Sequence, residues 1–269
     1  LNFRANCGTC HYCIIGRPVL CNGVDAPRNT MFDGTSRLSK NGQTIHHMAR
    51  TSCFSEYTVV PESGAVPVRS DMPLDKACLV GCAVMTGVGA VTNTARIEVG
   101  STVAVIGCGG VGLNSVQGAA LAGAGQIVAI DLLDNKLDYA RQFGATDLVN
   151  AGNGDAVARV KELTGGGVDY AFEAIGKKET AEQSFDTLRA GGTATIIGMI
   201  PEGTKIELDG PSFLREKRIQ GSSMGSNHFR VDMPRYVDFY LQGRLKLDEL
   251  VSRRLKLEDI NDAFEYMKE

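Results

Sequence analysis

The chain has 269 residues, 43% of them hydrophobic, enough to bury a sizeable core as one large or two ordinary domains. Its formal net charge is −3 and it carries no basic stripe, which excludes the electrostatic footprint of a nucleic-acid binder or a polybasic membrane-surface protein and favours small-molecule partners.

The chain opens Leu1-Asn2-Phe3-Arg4, with neither an initiator Met nor the basic-then-apolar layout of a secretory signal. Eight cysteines without an export signal read as thiols or metal ligands in a reducing, cytoplasmic compartment. Four of them, Cys7, Cys10, Cys13 and Cys21, form C-x-x-C-x-x-C with a fourth Cys after seven more residues, in a polar, glycine-containing loop. Such a loop has too little apolar surface to order itself. A tetrahedral zinc bound by the four thiolates would order it, with an apparent folding contribution on the order of 10 kcal/mol. An iron-sulfur cluster and a disulfide pair compete with zinc, although the bacterial ferredoxin run places its fourth Cys three residues on and before Pro, whereas Cys21 precedes Asn22.

Up to residue 73, Gly, Asn, Thr, Ser and Pro are scattered among short runs, and one strand, Phe54 to Val60, stands out. An apolar helix is predicted from Pro73 to about Asn93. Its nearly uncharged part, Ala77 to Thr94, sits at the lower limit of length for crossing a bilayer but has the Gly, Ala and Thr content of a packed core helix, so no membrane partner is expected.

Beyond residue 100 the texture changes. Thr102 to Ile106, Gln126 to Ile130, Asp147 to Val149, Val168 to Phe172 and Thr193 to Ile197 read as short buried strands separated by segments of helical length, the rhythm of a parallel sheet covered on both faces. Asp134 is placed to cap a helix running to Phe143, with Gly144 to stop it. A further strand, Arg218 to Gly221, follows the turn Pro211 to Glu216 and would bring the sheet to six strands in the usual dinucleotide-binding order. The remainder, Arg230 to Glu269, reads as helix, turn, helix.

The first strand of that sheet runs directly into Gly107, Gly109 and Gly112, and a helix, Val111 to Leu121, opens there. G-x-G-x-x-G is weak by itself; the strand before it and the helix after it are the context it requires. Gly107 serves the tight turn, Gly109 lets backbone approach a pyrophosphate, and Gly112 allows close helix-on-strand packing, with the helix N-terminus supplying a positive field. At the end of the second strand, nineteen residues past Gly112, Asp131 can accept both ribose hydroxyls and repel a 2′-phosphate. NAD is therefore expected over NADP. Lys136, five residues on, is a candidate for reaching the same ribose, although alone it reads as a solvated helix residue.

With the cysteine loop, the mixed-texture segment and this NAD-type unit in that order, the chain resembles the zinc-dependent medium-chain alcohol dehydrogenases over essentially its whole length. The resemblance is carried by the cysteine loop, GCGGVG, Met31-Phe32 followed by DGTSR, IHHM at Ile45 to Met48, FSEYTVV at Phe54 to Val60, LVGCAVMTG at Leu79 to Gly87 and VDYAFEAIG at Val168 to Gly176. It implies an α/β fold: a doubly wound Rossmann sheet at 85–223, plus a partial, mainly β, GroES-like catalytic domain at 1–84 that resumes at 224–269. It further implies a catalytic zinc held by a Cys, a His and a second Cys, the last matched by Cys82, a site type for which alcohol dehydrogenase is itself the reference case. Read without the family, Cys82 on an apolar helix is a small buried hydrophobe. By the same resemblance Gly110, Val111, Thr86, Ile175, Ile197 and Met199 join the cofactor site and Phe3 lines the alcohol pocket. His46 and His47 are expected to be structural or pocket-lining, and Cys53, Cys78 and Cys108 to be core thiols.

The family's first metal-ligand Cys, its ligand His and the hydroxyl that relays the substrate proton all precede the cysteine loop, and the sequence stops in the helix ending Phe264 to Glu269. The chain is thus expected to be a fragment cut at both ends, inactive alone, holding about one zinc where the complete enzyme holds about two. In that enzyme, zinc would act as a Lewis acid on an alcohol and hydride would pass to NAD, giving an aldehyde or ketone. Related alternatives are an S-(hydroxymethyl)glutathione/formaldehyde or a polyol dehydrogenase. Asn22-Gly23-Val24-Asp25, two residues shorter before Pro27-Arg28 than the classical enzymes, lies where the glutathione-using branch carries a distinctive Arg, and tells against glutathione. A non-catalytic NAD- or zinc-binding module is the alternative of another class. A homodimer or homotetramer, paired through the edge strand around Arg218 to Met224, is the oligomer the resemblance implies.

Overall fold

The computed structural model describes residues 1–267, which form two compact units. Lys268 and Glu269, the last residues of the expected terminal helix, lie outside the described residues. The first unit comprises Leu1–Gly81, His228–Leu241 and the residues from Lys246 onward; the second comprises Cys82–Asn227 and Gln242–Leu245.

In the first unit, a single helical turn, α1 (His11–Ile14), sits inside the cysteine loop. A short antiparallel hairpin follows, β1 (Leu38–Lys40) with β2 (Gln43–Ile45), closed by Asn41-Gly42 with positive φ at both residues, the backbone of a two-residue hairpin turn. The strand expected at Phe54 to Val60 does not form. That segment is bent and exposed, with Phe54 66%, Tyr57 91% and Val59 55% accessible. Alternation alone does not make a strand; a neighbour must take up its backbone groups, and among the described residues none pairs with it. Cys53 and Cys78 are likewise exposed, not core thiols, whereas Cys108 is buried. His46 is exposed, and His47 is buried with its Nε2 accepting the Arg37 N–H at 3.0 Å. Helix α2 (Leu74–Leu79) follows.

The second unit starts with α3 (Met85–Gly89), flanked by the π-helical turns Val80–Val84 and Ala90–Ala95. Together with α2 they make the apolar run Leu74–Ala95, the one helix among the described residues long and apolar enough to cross a membrane. More than half of it is packed against protein, and Met85, Val88, Ala90 and Val91 are fully buried, as in a core helix. The chain then alternates strand and helix: β3 (Thr102–Ile106), α4 (Gly110–Leu121), β4 (Gln126–Asp131), α5 (Asp134–Gln142), β5 (Asp147–Asn150), α6 (Ala156–Leu163), β6 (Val168–Glu173), α7 (Lys178–Asp186), β7 (Leu188–Ile196) and β8 (Arg218–Gly221).

All six strands are parallel, in the order β5-β4-β3-β6-β7-β8, so consecutive strands step outward from β3 in one direction and then reverse to the other side. This is the doubly wound dinucleotide-binding order, and the reversal leaves a crevice at the carboxyl ends of β3 and β6. Val103, Ala104 and Val105 in the central strand are wholly buried, as a sheet covered on both faces requires. Phe185 on α7 and Val160 on α6 pack on one face against Ala104, Val128, Val149 and Ala171.

Two local expectations shift. Asp134 is the first residue of α5 rather than its cap, and its carboxylate accepts from Asn150 Nδ2 at 2.6 Å. The free N–H groups of Leu132 and Leu133 are instead taken by Asp131 Oδ1. Strand β7 begins five residues earlier than the apolar run indicated and ends before Ile197. After β8 the chain returns to the first unit as α8 (Phe229–Leu241) and ends with α9 (Ile260–Tyr266).

Candidate functional site

The four cysteines of the first loop converge. Their sulfurs all lie within 4.8 Å of one another, with Cys10–Cys13 at 3.6 Å, Cys10–Cys21 at 3.9 Å and Cys7–Cys13 at 4.0 Å. A tetrahedron with zinc–sulfur bonds of about 2.3 Å places its sulfurs about 3.8 Å apart, so this donor set fits one zinc. A disulfide would bring two sulfurs to about 2.05 Å, and all eight cysteines are free. Helix α1 and the turn after it shape the nest: the N–H of Cys10 points at Cys7 Sγ (3.3 Å) and that of Cys7 at Cys21 Sγ (3.2 Å). Gly23 must lack a side chain, because a Cβ there would stand 2.6 Å from Cys7 Sγ. The Cys13 N–H, followed by that of Asn22, pulls the Cys10 thiol down to about 6, and the Thr9 N–H lowers Cys7. Burial pushes Cys13 up to about 12.

The second cluster lies at the carboxyl ends of β3, β4 and β6. Gly107 has φ +94°, a conformation L side chains rarely adopt, and a Cβ on Gly112 would sit 1.6 Å from the Gly107 carbonyl oxygen. Strand and helix can touch there only through these two glycines. A Cβ on Gly109 would meet no other part of the protein within 4 Å, so the rim of the turn is open to a ligand at the N-terminus of the twelve-residue α4. The glycine turn and the acid are physically joined, since Asp131 Oδ2 accepts the Cys108 N–H at 2.7 Å. That contact had no signal in the spacing.

Ile175 packs against the turn from the β6 side, its Cγ1 2.5 Å from where a Gly107 Cβ would be. Thr86 is carried by α3, and a Cβ on neighbouring Gly87 would stand 2.4 Å from the Val111 carbonyl oxygen, so Thr86 and Val111 share this neighbourhood. Met199 is 93% exposed, and its backbone abuts Gly176. Lys136 is exposed on α5. Cys82 belongs to the same unit and is exposed, not the buried hydrophobe its apolar helix suggested, although its surroundings desolvate and raise its thiol. Phe3 lies in the first unit, 39% exposed. Among the described residues the four-cysteine group is the one gathering of three or more metal-ligand side chains, and Cys82 is not part of it.

Known proteins place this arrangement. Residues 110–242 match the family model described as zinc-binding dehydrogenase. A probable S-(hydroxymethyl)glutathione dehydrogenase 1 of Schizosaccharomyces pombe is 40% identical over 273 residues, covering 100% of this chain and 72% of the relative. A class-3 alcohol dehydrogenase of Oryza sativa subsp. japonica is 39% identical, covering 99% and 72%. Among solved structures, an alcohol dehydrogenase zinc-binding domain protein from Burkholderia ambifaria superposes with TM-score 0.93 at 34% identity, and benzyl alcohol dehydrogenase from Acinetobacter calcoaceticus with 0.88 at 31%, each covering 98% of this chain and 72% of the other. With a doubly wound sheet, a glycine turn tied to a strand-terminal acid, a four-thiol nest and relatives of this identity, the chain belongs to the zinc-dependent medium-chain alcohol dehydrogenases.

Proposed function

We propose that this chain carries the NAD site and the structural-zinc loop of a dehydrogenase that interconverts a small alcohol and its aldehyde or ketone, with the dinucleotide lying across Gly107 to Gly112. The observation that carries this is the Asp131 carboxylate, fixed by the Cys108 N–H at 2.7 Å beside the open rim of the glycine turn. In that place it accepts ribose hydroxyls and repels a 2′-phosphate. Bound NAD would supply the hydride acceptor; the protein supplies position and field. The start of α4, with Gly109 and Gly110, faces the pyrophosphate, Lys136 reaches the ribose, and Thr86, Val111, Ile175, Ile197 and Met199 surround the nicotinamide. Cys7, Cys10, Cys13 and Cys21 hold the structural zinc, and Phe3 lines the alcohol pocket.

Cys82 is assigned as one ligand of the catalytic zinc. A catalytic site needs three protein ligands, and the described residues around Cys82 do not make that set, so this chain alone is expected to hold about one zinc and to leave alcohols unchanged. We assign 1–84 and 224–269 to the catalytic part and 85–223 to the NAD part, place the protein in the cytoplasm, and assign a homodimer or homotetramer paired through β8 and the residues to Met224.

Calorimetric titration tests the cofactor assignment. NAD should bind at least about tenfold more tightly than NADP, and Asp131→Ala should erase most of that difference. Equal affinities in the unaltered chain would sink the assignment, as would two zinc ions or alcohol turnover the one-zinc reading.

The second substrate reading is S-(hydroxymethyl)glutathione, favoured by the names of the relatives from Schizosaccharomyces pombe and Paracoccus denitrificans. The short segment Asn22 to Asp25 favours a plain alcohol. Comparing kcat/KM for primary alcohols and for the glutathione adduct, in the enzyme that contains this chain, separates the two.

A further inference from the structure

Glu173, the last residue of β6, is fully buried, and the chemistry proposed above does not use it. Its backbone is the ladder partner of Ile106, the residue that leads into the glycine turn. Its Oε1 accepts three hydrogen bonds, from the Ile175 N–H (2.9 Å), the Gly176 N–H (2.7 Å) and the Thr180 hydroxyl (2.7 Å). Its main-chain oxygen accepts the N–H groups of Ile197 (2.9 Å) and Gly198 (3.0 Å). Its Oε2 is buried without a partner, and Gly198 presses on it: a Cβ there would be 2.6 Å from Oε2 and 2.1 Å from the Gly176 nitrogen.

One residue therefore ties the turn after β6 to the turn after β7, at a point where two glycines bring the backbones into contact. Burying a carboxyl oxygen without a partner is unfavourable. What this arrangement does is hold Ile175 against Gly107 and set where Ile197 and Met199 begin.

We infer that Glu173 is a positioning residue of the dinucleotide site: it touches no cofactor, and acts by fixing Ile175 over the glycine turn and the 197–199 turn beside it. This rests on the NAD reading above. Groups that orient a binding residue from behind typically cost about 10–100-fold when altered at metal sites, and an effect at the lower end is expected here.

The test is calorimetric titration of this chain with NAD, for the unaltered protein, Glu173→Gln, Ile175→Ala and the double variant. Glu173→Gln should weaken NAD binding about tenfold, and the same change made in the Ile175→Ala background should cost under about twofold, since coupled residues do not add. An effect on affinity that is undiminished in that background, or no effect at all, overturns the inference. Melting curves report whether Glu173→Gln remains folded. If it does not, Thr180→Val, which removes one of the three donors, takes its place, with about a threefold loss expected and no loss overturning the inference. An unaltered chain with no affinity for NAD would remove the dinucleotide reading itself, and this inference with it.

Discussion

Two acidic residues, at the ends of the strands that flank β3 on either side, organise the cofactor edge in different ways. Asp131 is partly open and bonds the backbone of the glycine turn, so it can meet a ligand and brace the turn at once. Glu173 is closed off and bonds only protein. Asp131 was legible because its distance from the glycines is set by the length of one helix and one strand. Glu173 was not, because a carboxylate inside a run of strand residues looks like any strand-terminal acid until its burial is known. At this scale Gly112→Ala is the sharpest test of the turn. Its new Cβ would stand 1.6 Å from backbone oxygen, which cannot move without opening the strand-to-helix contact. NAD affinity should fall by more than about tenfold and the melting temperature should drop, by an amount typical of overpacking at about 1–3 kcal/mol or more. A variant that titrates and melts like the parent would refute the close-contact argument.

Among elements, the regular ones were those whose own periodicity and burial agree. The inner strands β3, β4 and β6 are apolar runs buried on both faces, so each announces itself locally, while β5 and β8 at the two ends of the sheet are only partly buried. Phe54 to Val60 has a strand's composition but, among the described residues, no strand pairs with it, and it stays bent. The hairpin of β1 and β2 went unremarked although Asn41-Gly42 is a strong turn signal, because its flanking residues are mostly exposed and carry no hydrophobic pattern. Ion pairs between elements were invisible in the sequence for another reason, their separation along the chain. In the first unit Lys76 of α2, whose side chain is 9% exposed, meets Asp248 at 3.1 Å, and Arg254 meets Asp75 at 2.6 Å. Hydrogen bonds from the Tyr240 hydroxyl and Lys76 lower the Asp248 carboxyl, and Arg254 lowers Asp75. A carboxyl whose folded pKa is lowered adds stability above its unfolded value, about 3.9, and loses it as pH falls through the folded value. Asp248→Asn should therefore melt below the parent at pH 7, and the gap should close toward pH 3. Melting curves across that range check it; a gap that widened on acidification would contradict the network.

For the whole molecule, the matched relatives are longer than this chain, which spans 72% of each of the two compared here. Among the described residues β8 is the last strand on one side of the sheet, and unpaired edge groups invite a second strand. If β8 to Met224 is the pairing surface, light scattering on the enzyme that contains this chain should return a mass of at least two chains, and Ile219→Pro should reduce it. A monomeric parent would end that proposal.

What the sequence determined by itself was whatever repeats at short range: the strand-helix alternation, the glycine spacing with its acid, and four closely spaced cysteines that favour zinc over an iron-sulfur cluster or a disulfide pair. Each is a matter of neighbours along the chain. Tertiary structure alone decided that the four sulfurs share one centre, that Asp131 bonds Cys108 across 23 residues, that Glu173 clamps two turns, and that no strand among the described residues pairs with Phe54 to Val60. These depend on which distant groups meet and on how much water is excluded where they do, and neither is encoded in any single stretch of residues.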